Sequence, residues 1–577
     1  MSEKKSENYI WVNAEPFDIG VLLIPPPSKL THHNLRKLHV YAKSKGKAGY
    51  PNLTFPVWHH VACNKLSIDE NLAWIYFHTC SVLTGPHGNE SNIKNDHKDL
   101  CKEKRSVDLL KFILYLYIQH SNVISMKSAI VTGDEYPYRN RVQELEGRAA
   151  IGVKTIDENA QMSFVMVHIS EIFELLVEPD INNAKDEFLK LEAVNSLSFL
   201  LGSSNNTPIG EIASQPREAE ESGFEKISQT FNSKKLQSWI KSNLRLNPFG
   251  VLSCLSSGLK LNCRGFNSGN DSLNASINLS DDTIFNTASF MEINSCKDQH
   301  NKETDINGYF KFHQTNIVNK VISNTNYAPE LYKRIICNQI CKRTVARTGN
   351  YLAHASVNIH RCQYSHLYLL SHLRSVVIEK CHNSTIVLGS VATCVIVVAC
   401  KNICLVAITK RLSIISSSNS SFHVCVPSEP VLIGRNENIK LAPYYTWYPQ
   451  LEKDMKLVGL LPEPNYWNLP IVLSRKNDSN QNIWHEFPPE EFSKFVIPFT
   501  FEGTTKNCPV SIPRRYIEVL NEREKRIEQW HQLIRDSNLS KAQRIQLQSV
   551  VNERFQEWLK ETGNITFLES LAPPQIR

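Results

Sequence analysis

The 577-residue sequence has no long hydrophobic run. Its most apolar stretch, Leu109 to Ile118, is interrupted by Lys111 and is too short to cross a bilayer. The opening residues, Met1-Ser2-Glu3-Lys4-Lys5, are not followed by an apolar core, so no signal peptide is expected. Serine at position 2 excludes N-myristoylation. No Gly-x-x-x-x-Gly-Lys-Ser/Thr loop is present to cradle phosphates. The net charge of +7 is diffuse, and no dense Lys/Arg block is interleaved with aromatics, which argues against a nucleic-acid partner. There is no His-Glu-x-x-His and no paired Cys-x-x-Cys. Cys337-x3-Cys341 and Cys400-x3-Cys404 have a spacing that zinc accepts. Cys400, however, belongs to a repeat, and strand alternation accounts for Cys404. No metal and no cofactor is expected. Acidic residues are scarce as well. Between Arg361 and Gly434 only Glu379 and Glu429 occur, and with Glu437 they share no column. A glycosidase needs converging carboxylates, so carbohydrate cleavage is set aside.

What is present is a repeat. Cys362, Cys381 and Cys400 stand 19 apart. So do Val357, Val376, Val395, Ile414 and Ile433; Leu367, Ile386, Leu405 and Val424; and Leu369, Leu388, Ala407 and Val426. A fixed period with the same apolar positions in each copy predicts a solenoid. Within a copy the apolar residues alternate, as in Leu367/Leu369 and Val376/Ile378, which is the period of a strand. Each copy therefore reads as one turn of a parallel β-helix, with like side chains stacked about 4.8 Å apart. One coil alone cannot bury its inner face, so neighbours above and below are needed. Ile340, 19 before Ile359, extends the stack by one coil.

The flanks read differently. Ile10-Trp11-Val12 begins extended, and Pro25-Pro26-Pro27 is a stiff turn. Helices are expected over 28–44, around Leu72 to Phe77, and over 107–119, 164–177 and 187–201. Gly202 stops the last as a C-cap. Leu236 to Leu244 is a short amphipathic piece. Residues 262–308 are rich in Asn, Ser and Asp and hold no period, which marks an insertion. Beyond the coils, Leu441 to Pro449 supplies aromatics to cap the open end. Arg515 to Asp536 is amphipathic, and Ser540 to Leu559 opens with the capping box Ser540-Lys-Ala-Gln543. This C-terminal pair of helices is expected to cover the solenoid, pack on the N-terminal domain or present a surface to a partner. Fifteen cysteines, an odd number, read as reduced thiols in the cytoplasm.

The run Glu379-Lys-Cys381-His-Asn383-Ser-Thr-Ile-Val-Leu388-Gly389, then Ala399-Cys400-Lys-Asn402, resembles the tubulin-binding cofactor C family, which includes retinitis pigmentosa protein 2. Glu429-Pro430, Asn438-Ile439-Lys440 and Trp447-Tyr448-Pro449 resemble the closing segment of the same domain. The resemblance covers residues 318–450 and implies a right-handed C-CAP/cofactor C-like β-helix. The flanks Trp11-Val12-x-Ala14-Glu15-Pro16-Phe17, Leu72-Ala73-Trp74-x-Tyr76-Phe77, Asn247-Pro248-Phe249-Gly250 and Pro464-Asn465-Tyr466-Trp467 resemble one full-length subfamily. That subfamily implies a cytoskeletal protein of the centrosome and spindle pole that acts in centrosome and Golgi positioning and cell shape. The expected architecture is multidomain α+β. It comprises a mainly helical N-terminal domain (1–255), a polar linker or insertion (256–317), the β-helix (318–450), a mixed strand and turn region (451–512) and a C-terminal helical hairpin (513–577).

The family also implies a catalytic position. Its GTPase-activating members carry an arginine finger in a Gln-Gln-Phe-Arg segment. Counted without gaps from Cys400, that segment falls on Lys410-Arg411-Leu412-Ser413, and the finger position is Ser413. A finger supplied in trans accelerates hydrolysis about 10³–10⁵-fold, and a serine hydroxyl has no charge to offer the γ-phosphate. Arg411, two residues earlier, shares the strand face but is displaced by about 7 Å. The expectation is a non-enzymatic scaffold. Its partners are centrosomal or microtubule-associated proteins, with a small GTPase or tubulin bound without acceleration. The alternative is a GTPase-activating protein for tubulin or an Arf-like small GTPase, using Arg411. A tubulin-folding cofactor is a third class, disfavoured because the flanks match the other subfamily.

Overall fold

The computed structural model describes residues 9–85, 105–132, 150–177, 188–203, 207–247, 251–256, 334–473, 482–499 and 503–561. The polar insertion at 262–308 lies outside the described residues. The chain divides into two compact units, one holding the residues up to 253 and the other the residues from 335.

The first unit is built mainly from helices α1 (His32–Ser44), α2 (Phe55–Asn64), α3 (Glu70–Thr84), α4 (Leu109–Thr132) and α5 (Ala150–Leu176). Their starts are written in the sequence. Thr31 accepts the Asn34 amide at the N-terminus of α1, and Asp69 accepts the Asn71 and Leu72 amides at that of α3. The core is aromatic. Trp58 and Phe112 meet edge to face at 4.8 Å, and the Trp58 indole donates to the Ala73 carbonyl at 2.9 Å. A small sheet joins β1 (Ile10–Val12) to β2 (Leu201–Ser203) and to β3 (Leu244–Arg245). Residues 187–201 do not form the single expected helix. They pass from a strand (Phe188–Lys190) through two short helical turns into β2. Gly202 is a strand residue opposite Trp11, not a helix cap. A Cβ there would lie 2.6 Å from the Trp11 indole nitrogen.

The second unit is a parallel β-solenoid of about six turns over residues 334–443. One face is made of β4 (Arg334–Asn338), β6 (Ser356–His360), β8 (Ser375–Glu379), the second half of β9 (Thr385–Val398), the second half of β10 (Cys404–Ile415) and β12 (Val431–Ile433). The next face is made of β5 (Thr344–Thr348), β7 (His366–Leu370), the first halves of β9 and β10, β11 (Ser418–Cys425) and β13 (Glu437–Pro443). Inward Val357, Ile359, Leu367, Val376, Ile386, Val395 and Leu405 are all 0 % exposed. Each contributes roughly 1.5–3 kcal/mol when fully buried.

The corner between the two faces explains the Cys-x-Asn signature. Each coil turns twice through the left-handed region, first at Arg361, Lys380, Ala399 and Ser416, then at Tyr364, Asn383, Asn402, Asn419 and Asn438. Asparagine tolerates that conformation better than most residues. It also stacks, since Asn402 donates to Asn383 at 2.9 Å and Asn438 to Asn419 at 2.8 Å. Cys362, Cys381 and Cys400 point inward between the two turns and are buried. Gly389 of the Leu-Gly signature is a close approach, because a Cβ there would lie 2.1 Å from the Ser371 carbonyl oxygen.

The period is not uniform. Matching hydrogen-bonded positions are 22 apart between the first two coils (Arg343 and Ser365), 19 between the next (Ser365 and Ser384) and 17 at Cys400 and Ser417. Val395 therefore pairs with Leu412 and Val397 with Ile414. Leu405 lies opposite Phe422 and Ala407 opposite Val424, and Ile414 opposite Leu432. The 19-residue columns hold as far as Val406 and slip beyond it. Cys341 bridges Gln363, so the early coil exists, but Ile340 stands in the column of Cys362 rather than that of Ile359.

The segment after β13 lies largely along the side of the stack. Tyr444, Tyr448, Leu451 and Met455 pack with Tyr368, Leu370, Val387, Val406 and Ile408, the outward residues of the second face. The end is closed by Tyr445 of that segment together with Trp467, Phe492 and Tyr516, which join the inner core. Short strands β14 (Ile471–Leu473) and β15 (Trp484–Glu486) extend the two faces by pairing with β12 and β13. Helices α6 (Arg514–Asp536) and α7 (Lys541–Glu561) follow. Tyr516 and Leu520 of α6 pack on the closing end. The capping box of α7 is formed, with Ser540 accepting the Gln543 amide and Gln543 accepting the Ser540 amide.

Candidate functional site

Strand β10 carries the segment that the family resemblance marks. Leu412 and Ile414 point into the core and are 0 % exposed. Alternation then turns Arg411 and Ser413 outward together. Ser413 lies between Ile396 of the coil before and Val431 of the coil after. Its row continues to Val377 on one side and Ile471 on the other. Arg411 lies opposite Cys394.

Both outward side chains are nevertheless buried. Arg411 is 3 % exposed and Ser413 5 %. Their neighbours Ile396, Val398, Ile415, Val431 and Ile433 are buried too. The backbone is pinned on both sides of Arg411. Thr409 donates its hydroxyl to the Arg411 carbonyl at 3.0 Å, and Ser428 donates to the Lys410 carbonyl at 2.8 Å. Lys410 alone of the four residues is half-buried. The strand thus brings Arg411 and Ser413 to one face, as their spacing predicts, and holds both side chains out of solvent. Burial is the feature that spacing does not show. A signal existed in β9, whose sequence TIVLGSVATCVIVV is almost continuously apolar rather than alternating. Such a strand is covered on both faces.

A second polar feature lies on the neighbouring face, under the segment that follows β13. Asp454, 4 % exposed, accepts the Tyr448 hydroxyl at 2.7 Å and faces His372 Nδ1 at 3.2 Å. His372 in turn meets His354 edge to face at 4.5 Å. This buried carboxylate ties the covering segment to two successive coils. His423 on β11 is wedged against Phe487 and Phe492 at ring distances of 5.1 and 6.1 Å. Burial depresses its pKa to about 4. Among the described residues, no set of three His, Cys, Asp or Glu side chains is grouped to hold a metal ion.

Comparison with known proteins agrees with this geometry. The family model for tubulin binding cofactor C matches residues 354–471, which covers most of the solenoid and its closing strand. TBCC domain-containing protein 1 of Homo sapiens is 36% identical over 99% of this chain and 98% of its own length. The Bos taurus protein of that name is 35% identical over 99% of this chain and 98% of its own length. The Danio rerio protein is 34% identical over 98% of this chain and 94% of its own length. The likeness runs through both units and both flanks as well as the coils, so the chain belongs to the family of TBCC domain-containing protein 1.

Proposed function

We propose that this protein is a non-enzymatic cytoskeletal scaffold. In this reading its β-solenoid presents a family-type surface to a tubulin-like protein or a small GTPase without accelerating hydrolysis. The helical flanks direct the chain to the centrosome and spindle pole, where it acts in positioning the centrosome and Golgi. The observation that carries the reading is Ser413. The residue at the family's finger position is uncharged and 5 % exposed, and the nearest arginine, Arg411, is 3 % exposed on the same face. A finger has to reach a phosphate on another protein, and its contribution comes from a charge placed in the transition state.

The test is single-turnover GTP hydrolysis by purified tubulin and by Arf-like GTPases, with binding measured in parallel. Wild type, Ser413→Arg and Arg411→Ala are compared. Binding with an unchanged hydrolysis rate supports a scaffold. Acceleration by wild type that disappears in Arg411→Ala would make the protein an enzyme and overturn the reading. The targeting half is tested separately with a tagged chain. Centrosomal enrichment is expected to vanish on deleting residues 1–255 or 513–577, and enrichment of the solenoid alone counts against the flanks.

A further inference from the structure

Helix α7 carries an exposed apolar stripe. Val551 is 42 %, Phe555 49 % and Trp558 50 % exposed. Leu547, one turn before Val551, is half-buried, and Arg544 is exposed. Residues 544, 547, 551, 555 and 558 follow each other at steps of three, four, four and three. At 100° per residue they fall within one narrow arc of the helix surface. Burying such a stripe against solvent-free side chains is the ordinary way a helix of this length gains stability.

We propose that this stripe is an interface with a second copy of the same chain, the two α7 helices lying antiparallel about a two-fold axis at Val551. The stripe is symmetric about that residue. In an isologous contact, if residue i meets residue j then j meets i. An antiparallel pair centred on Val551 puts Val551 against its own copy. Leu547 then lies beside Phe555 of the second copy, and Arg544 lies over the indole of Trp558 of the second copy, a favourable cation–π arrangement. No residue of the stripe is left facing an unsuitable one.

Charge along the helix selects the same occupant and orientation. Residues 541–552 contain Lys541 and Arg544 and no acid, whereas residues 553–561 contain Glu553, Glu557 and Glu561 against Arg554 and Lys560. Antiparallel pairing sets the cationic half of one helix along the acidic half of the other and opposes the helix dipoles. Parallel pairing stacks like on like. A lipid surface is a poor occupant, because an interfacial helix carries a cationic polar face and this one has three glutamates in its last nine residues.

The test uses the full-length chain and measures its mass by light scattering or sedimentation over a micromolar concentration series. The wild type is expected to pass from one chain to two. Val551→Glu, which opposes two like charges on the axis, is expected to weaken association at least about tenfold, equivalent to 1.4 kcal/mol. L547E/F555E and L547K/F555K are each expected to remain single chains and to pair when mixed. Circular dichroism confirms that each variant keeps its helix. Orientation is read by oxidising a mixture of Leu547→Cys and Phe555→Cys chains and mapping the crosslinks. Crosslinks between positions 547 and 555 support the antiparallel pair. A wild type that stays one chain throughout, a charge-swapped mixture no better than its parts, or a predominant 547–547 crosslink would each overturn the proposal.

Discussion

Val395 pairs with Leu412, 17 residues on, although the two preceding steps of this face, Val357 to Val376 and Val376 to Val395, are 19 residues each. The lost residues come out of the bend after Gly389, where β9 and β10 change register between Val387 and Ser390 and again between Val391 and Cys394. Because two residues are lost, the inward and outward parity of the strand is kept. Val395 is thus held between Val376 on one side and Leu412 on the other, with no solvent contact. Replacing Val395 by Asp puts an unpaired charge into the dry interior. The expected loss exceeds about 4 kcal/mol, the range reserved for buried unpaired charges and large cavities. Denaturant titration of the soluble fraction checks it. Lys401→Asp, at an exposed corner of the same stack, is the control and should cost markedly less.

That parity also explains what was legible. An in/out pattern survives an even slip, so the apolar columns extrapolate smoothly from Cys400 to Ile414 and Val426 while the true neighbours change; the following step is 18 residues, and Ile433, opposite outward Ile415, leaves its column. The coil itself was visible because Cys362, Cys381 and Cys400 precede the slip. The outward pair Arg411 and Ser413 was legible for the same reason, since alternation assigns a face without needing the register. Their burial was not, because it depends on what packs over the face. The side-on course of Tyr444 to Met455 was likewise hidden. Aromatic residues after a solenoid suit an end and a side equally well, and only the apolar outward residues Tyr368, Leu370, Val406 and Ile408 mark the side.

Gly202 is expected to resist the smallest substitution. Its neighbour is the rigid Trp11 ring, with an added Cβ only 2.6 Å from the indole nitrogen, and Trp11 is itself buried. Neither the strand pairing nor the ring can yield without moving β1. Gly202→Ala should cost roughly 1–3 kcal/mol, the usual range for overpacking a core. A thermal melt reads the loss. Restoration by Trp11→Phe in the Gly202→Ala background would locate the clash at that ring.

Asp454 should matter more than its single charge implies. It satisfies Tyr448 from the covering segment and His372 from the coil; Asp454 and Tyr448 are shielded from water and His372 is half-buried. Asp454→Ala leaves the buried Tyr448 hydroxyl and the half-buried His372 ring without their acceptor. The expected cost is about 3–5 kcal/mol, as for breaking a buried pair by removing one partner. His372→Ala and Tyr448→Phe should each cost less. In double-mutant cycles their effects should be non-additive with that of Asp454→Ala. Additive effects would show that the three side chains act independently.

His423 gives the solenoid's closing end a pH dependence with a definite sign. Burial among Phe487, Phe492 and the strand lowers its pKa from the ordinary 6.5 to about 4. The folded state therefore binds the proton less well than the unfolded chain does. Stability from the neutral ring is fully present above pH 6.5 and is lost as the pH falls through the window from 6.5 towards 4. Within that window one such group changes stability by up to about 1.4 kcal/mol per pH unit. His366, whose pKa burial also depresses to about 4, contributes in the same direction. His423→Phe keeps an aromatic ring against Phe492 and removes the titrating group. Denaturant midpoints measured between pH 7 and pH 4.5 should fall steeply in the wild type and less steeply in the variant. Equal slopes would mean that His423 is protonated as readily in the folded protein as in the unfolded one.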